Sequence, residues 1–193
     1  MIWLFSQIFV IFIQILMSID KTLFILCGEA FAGKTTLSKR IADLYRAKIV
    51  GRDEIYFATE KILALENTPE EDDDTLWDNL WPLVIQGTRN HLSLGNSVVI
   101  DDNCLYLKQR DELRSVADQS GYKSMLIYLS TPTNILKERK AENKNSKSRH
   151  DVPSEWVDED SNLFERPTEL EKPVIYTPDM SFEDLAKVIT AIF

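Results

Sequence analysis

Eight consecutive residues constrain this chain more than anything else in it: Gly28-Glu29-Ala30-Phe31-Ala32-Gly33-Lys34-Thr35. They satisfy G-x-x-x-x-G-K-[ST] at every fixed position, and their flanks are of the right kind. Thr22 to Cys27 before them reads as a buried strand. Lys34 to Tyr45 after them reads as a helix, with Leu37, Ile41, Leu44 and Tyr45 at helical spacing on an inward face. Strand, glycine loop and helix in that order build a phosphate cradle. Gly28 and Gly33 tolerate backbone angles other residues resist, so successive N–H groups can turn inward, and the helix start adds partial positive charge. Lys34 is then placed for β- and γ-phosphates and the Thr35 hydroxyl for Mg²⁺. Gly28, Glu29, Ala30, Phe31, Ala32, Gly33, Lys34, Thr35 and Thr36 are the candidate nucleotide-binding residues.

The rest of the chain alternates short apolar strands with helices. Lys48 to Gly51, Ser97 to Ile100, Lys123 to Leu129 and Pro173 to Tyr176 read as strands. Ile55 to Leu65, Lys108 to Ser120, Thr131-Pro132 to about Glu142, and Val152 to Phe164 read as helices. Thr68-Pro69-Glu70-Glu71 has the form of a helix start, and Glu70 to Asp74 that of a solvated acidic first turn. Trp77, Leu80, Trp81, Val84 and Ile85 form an apolar stripe in which Pro82 must either kink the helix or begin a new one. Ser181-Phe182-Glu183-Asp184 is a capping box for a final helix that turns Leu185, Val188, Ile189 and Ile192 inward. This alternation predicts an α/β fold with a parallel sheet covered by helices on both faces, ligands lying at the carboxyl ends of the strands.

The net charge of -9 argues against a long nucleic-acid footprint, which needs a basic face. Cys27 and Cys104 lack ligand spacing, which argues against zinc and for reduced thiols in a cytoplasmic protein. Residues 1–19 carry no charged side chain and are mostly apolar. They could be a membrane anchor, an apolar helix packed on the domain or a partner, or an extension upstream of a start at Met17. Residues 20–193 are the expected catalytic domain.

Phosphoryl transfer from ATP needs a carboxylate at the acceptor hydroxyl, a group near Mg²⁺ and cations on the migrating phosphoryl. Asp53, after the second strand, is the candidate base, with helix capping as its other possible role. Asp101 ends a strand where a carboxylate would face the metal, with its neighbour Asp102 as the alternative for that role. Lys137, Arg139, Lys140, Lys144, Lys147 and Arg149 cluster in an otherwise acidic chain, as a basic lid would.

From Thr22 to Glu171 the chain resembles the small P-loop kinases grouped with polynucleotide 5′-hydroxyl kinases, zeta-type toxin kinases and chloramphenicol phosphotransferases. The resemblance rests on Gly28 to Thr36, Gly51-Arg52-Asp53-Glu54, Val98 to Asn103 with Arg110, Leu136-Lys137-Glu138-Arg139, Val152-Pro153 and Phe164-Glu165-Arg166-Pro167. It implies an adenylate-kinase-like fold, Asp53 as general base, Asp101 by the metal or acceptor, and Arg139 as a lid arginine acting with Lys34. Two positions depart from the polynucleotide kinases. Tyr56 stands where they carry an arginine after the base, and Asn143 where they carry a second lid arginine, leaving Arg149 or Lys147 to supply that charge. The expected activity is transfer of the γ-phosphate of ATP, with Mg²⁺, to a hydroxyl of a small molecule. The alternatives are a polynucleotide or tRNA end as acceptor, or an ATP-binding switch tethered through residues 1–19.

Overall fold

The computed structural model describes residues 21–66, 79–146 and 161–193. Strands β1 (Thr22–Cys27), β2 (Lys48–Gly51), β3 (Val98–Asp101), β4 (Lys123–Leu129) and β5 (Val174–Tyr176) form one sheet in the order β2-β3-β1-β4-β5. Every pairing is parallel. The helices are α1 (Lys34–Tyr45), α2 (Arg52–Glu66), α3 (Trp81–Ser93), α4 (Leu107–Gln119), α5 (Thr133–Ser146) and α6 (Phe182–Ile192), with a short 3₁₀ turn at Glu169–Glu171 before β5.

β1 is central, and all six of its residues are buried. Its side chains alternate between two cores, as strand geometry dictates. Phe24 and Leu26 join Leu37 and Ile41 of α1 and Leu185 and Ile189 of α6 on one face. Leu23, Ile25 and Cys27 join Val84 and Leu92 of α3 and Leu113 and Val116 of α4 on the other. Burial on both faces explains why β1 reads as an unbroken apolar run rather than as an alternating one.

The expected α/β architecture is therefore the observed one, with local differences. Pro82 lies in the first turn of α3, where its missing N–H costs nothing, so it starts a helix and does not kink one. α2 begins three residues early, at Arg52, directly from β2. α5 continues to Ser146, into the basic stretch that shows no apolar periodicity. Leu44, Val188 and Ile192 keep the helical spacing of a core stripe yet are exposed, because the stripes of α1 and α6 are wider than the sheet beneath them. Ser181 caps α6 by accepting from the Asp184 backbone N–H at 3.1 Å, while its hydroxyl donates to the Asp184 carboxylate, so only half of the expected capping box is built. The expectations placed on residues 1–19, Thr68 to Trp77 and Lys147 to Asp160 lie outside the described residues. Among the described residues no helix is long and apolar enough to cross a membrane.

Candidate active site

The glycine loop connects β1 to α1 at the carboxyl edge of the sheet. Gly28 has φ +153°, and a Cβ there would lie 3.0 Å from the Leu129 carbonyl oxygen and 3.2 Å from the Leu129 Cβ. Only glycine lets the loop pass this close to β4. The Gly28 N–H donates to the Asn103 carbonyl at 3.2 Å, tying the loop to the segment after β3. Gly33, at φ +108°, turns the chain into α1, so that its carbonyl accepts from the Thr36 and Leu37 N–H groups.

Lys34 is buried, and its Nζ donates to the carbonyls of Gly28 and Glu29, both at 2.9 Å. Burial lowers its pKa, while Asp101, then Asp102 and Asp53, oppose that shift. The ammonium thus feels the charge of three carboxylates while its hydrogen bonds go to the loop carbonyls.

Asp101 ends β3, the strand between β1 and β2, and faces the start of α1. Its carboxylate accepts from the Ser38 hydroxyl at 3.0 Å and from the Thr35 hydroxyl at 3.4 Å. Burial pushes its pKa up. The Ser38 hydrogen bond, Lys34 and Thr35 pull it down. Thr35 and Asp101, the two residues that the sequence points to for a metal, therefore meet. Ser38 was not foreseen, although it lies one turn after Thr35 on the same helical face.

Asp53 stands in the first turn of α2 and remains open to solvent. Partial desolvation at the loop edge, then the charges of Asp102 and Asp101, raise its pKa, with Lys34 and Arg52 pulling the other way. Asp102 does not share its neighbour's role. It is buried, its carboxylate lies 3.1 Å from Arg52 Nε, and it accepts from the Cys104 N–H at 3.0 Å. The Arg52 guanidinium in turn lies 5.3 Å from the Trp81 ring. Asp102 braces the start of α2 on which Asp53 sits.

Arg139 reaches back from α5, and its Nη1 donates to the Phe31 and Ala32 carbonyls at 3.1 and 3.0 Å. Arg139, expected from the sequence as a lid arginine, thus contacts the loop. Arg149 and Lys147 lie outside the described residues. Beside Arg139 opens a cleft of about 440 Å³, lined by Phe31, Thr36, Arg40, Tyr176 and Thr177 among others.

A second arginine cluster had no role assigned from sequence. Arg110 of α4 is fully buried, donating from Nε and Nη2 to the Glu171 carboxylate at 2.8 and 3.1 Å and from Nη1 to the Cys104 carbonyl at 2.9 Å. Arg114 adds a contact to Glu171 at 2.9 Å. This cluster fixes the loop after β3 to the turn before β5. Cys27 and Cys104 are both buried free thiols. Burial pushes Cys27 up to about 12 and Cys104 well above its ordinary value, so neither is a ready nucleophile.

Fold and loop together define a phosphate-binding-loop α/β protein with an acidic edge beside the loop. The chain belongs to the AAA domain family, whose model matches residues 23–167. It is 28% identical over 149 residues to an L-seryl-tRNA(Sec) kinase of Methanococcus maripaludis, a match that covers 75% of this chain and 51% of that protein. The chain thus spans about half the length of this curated relative. Among solved structures, Kti12 of Chaetomium thermophilum in complex with ADP-AlF3 has a TM-score of 0.69 at 12% identity, over 88% of this chain and 96% of that one. The APS kinase of Mycobacterium tuberculosis in complex with AMPPNP and APS has a TM-score of 0.62 at 14% identity, over 90% and 97%. A gluconokinase of Sinorhizobium meliloti 1021 has a TM-score of 0.59 at 19% identity, over 89% and 91%. At these identities the likeness is one of fold, and that fold is shared with small P-loop kinases.

Proposed function

We propose that the chain is an ATP-dependent phosphotransferase that moves the γ-phosphate to a hydroxyl. The observation that carries this reading is the electrostatic unit of Asp53, Asp101 and Lys34, gathered from three elements at the loop, in which Lys34 and Asp101 shift each other's pKa and both act on Asp53. A protein that merely held nucleotide would need the cradle, but not a second carboxylate with a raised pKa beside it.

The phosphates would lie on the N–H groups of Gly28 to Thr36, with Lys34 exchanging its loop carbonyls for phosphate oxygens. The cleft beside Arg139 has the size and mixed lining suited to the nucleoside. Thr35 and Asp101 fit Mg²⁺, since they offer hard oxygen donors hydrogen-bonded as one set with Ser38. Among the described residues no group of three His, Cys, Asp or Glu side chains could hold a metal, which suits an ion carried mostly by phosphates and water. Bound there, Mg²⁺ would neutralise phosphate charge. Asp53 accepts the acceptor's proton as its oxygen bonds to the γ-phosphorus and the bond to the β–γ bridging oxygen breaks. Lys34 and Arg139 stabilise the charge on the moving group, and Arg149 is a further lid cation from the sequence. The two buried thiols suit a reducing, cytoplasmic setting.

A small molecule is the acceptor we favour, because the edge around Asp53 and Asp102 is acidic. A tRNA end is the second reading, favoured by the likeness to an L-seryl-tRNA(Sec) kinase and opposed by the net charge of -9. The test is ADP release with Mg²⁺-ATP and a panel of sugars, nucleosides, amino alcohols and 5′-hydroxyl or aminoacylated RNA. Stimulation by a hydroxyl acceptor supports a kinase and names its class. Turnover indifferent to every acceptor would favour a nucleotide switch.

A further inference from the structure

Glu29 introduces an electrostatic problem. It places a carboxylate in the second position of a loop that would bind phosphates, and its side chain is 17% exposed. A negative charge there opposes the ligand unless a cation answers it. The answering cation is Arg166, whose Nη2 lies 3.9 Å from Glu29 Oε1.

Arg166 is held there by its neighbours on both sides. The Phe164 ring packs on Tyr128 of β4 with centroids 5.8 Å apart. The Glu165 N–H donates to the Leu105 carbonyl at 2.9 Å, and the Glu165 carboxylate accepts from the Leu107 N–H at 2.6 Å, at the start of α4. After Pro167, which restricts the chain at φ near -65°, the Thr168 N–H donates to Glu171 at 3.1 Å, and Glu171 is locked to Arg110. The strap is fixed, whereas the Arg166 side chain is 71% exposed. At 3.9 Å it makes an ion pair with Glu29 but no hydrogen bond, which leaves the donors of its planar fork unspent on that partner. Arg139 touches the loop at Phe31 and Ala32, and Arg166 at Glu29. Two arginines from different elements thus bracket the loop.

We propose that Arg166 is a catalytic residue, the second arginine of the phosphoryl-transfer site, poised on Glu29 and moving onto the γ-phosphoryl oxygens as their charge develops. This rests on the phosphotransferase reading above. Arg166 forms no covalent bond and moves no proton; its donors bind the equatorial oxygens while the acceptor oxygen replaces the leaving oxygen at phosphorus.

The experiment measures ADP affinity of the full chain with Mg²⁺, with and without aluminium fluoride, which with ADP mimics the phosphoryl group in flight. Wild type should bind ADP more tightly with aluminium fluoride. Arg166→Ala should lose about ten- to a hundred-fold of that tightening, with ADP affinity alone within about twofold of wild type. Arg166→Lys, which keeps the charge on the same segment without the planar fork, should retain more of the tightening than Arg166→Ala; an equal loss in both variants, together with weaker binding of ADP alone, would mean a merely structural contact and overturn the proposal. Unchanged tightening in Arg166→Ala would overturn it while leaving the phosphotransferase reading intact. A wild type that binds ADP with no response to aluminium fluoride would overturn that reading and this proposal together.

Discussion

Replacing Glu171 by Gln tests the claim that one buried ion cluster holds the loop after β3 to the turn before β5. Arg110 is fully buried, and Glu171, 7% exposed, answers its charge through two hydrogen bonds. Burial pushes the Glu171 carboxyl up, but the hydrogen bonds from Arg110 and Arg114 outweigh it and pull the pKa from an ordinary 4.5 down to about 2. At about 1.4 kcal/mol per unit, that gap corresponds to at most about 3–4 kcal/mol. The figure is an upper one, because solvent at the rim of the pair screens part of it. It matches the ~3–5 kcal/mol typical of removing one partner from a buried pair. For a chain of this size Glu171→Gln should lower Tm by roughly 6–12 °C at pH 7. The sign is set by a folded pKa below the unfolded one. The stabilisation is complete above pH 4.5 and disappears as pH falls through that value toward 2. The assay is urea unfolding of wild type and variant at several pH values. Equal stability at pH 7, or a difference that does not shrink on acidification, would refute the reasoning.

Lys34→Ala removes the buried ammonium at the loop and should weaken ATP binding by at least about tenfold in calorimetry, while the fold persists. Gly28→Ala drives a Cβ to 3.0 Å from the Leu129 carbonyl at a backbone angle suited to glycine. It should abolish nucleotide binding and cost about 1–3 kcal/mol of stability by thermal unfolding. Because the Asp53 pKa is raised, activity should fall on its acid side at a pH above the ordinary carboxylate range, and Asp102→Asn, which removes one cause of the rise, should move that limb to lower pH in a kcat/KM profile.

What was readable from sequence was what the chain writes locally. Gly28 to Thr36 is contiguous, and Gly28, Gly33, Lys34 and Thr35 each answer a demand of phosphate binding, so the loop is legible without the fold. Asp101 was readable because a carboxylate at the end of the apolar run Val98-Val99-Ile100 must emerge at the ligand edge of a parallel sheet. The positions of β3 between β1 and β2, and of Ser38 on Asp101 across 63 residues, depend on topology that no local pattern encodes. The same holds for Arg110, paired to Glu171 across 61 residues. Neither charge has a sequence neighbour to reveal the pairing, and an arginine inside a helix reads as surface until its partner is known. Asp102 looked interchangeable with Asp101 because one residue's difference reverses the side of the strand, and only the fold shows that this side faces Arg52. Leu44, Val188 and Ile192 misled for a simpler reason: spacing gives the direction of a side chain but not how far the sheet extends beneath it.

The phosphotransferase account is tested most directly by Asp53→Asn, measured beside wild type for ADP release with a stimulating acceptor and for ATP affinity. The account predicts acceptor-dependent turnover reduced by on the order of a hundredfold or more, with ATP affinity essentially unchanged. Full acceptor-dependent turnover in Asp53→Asn would contradict it.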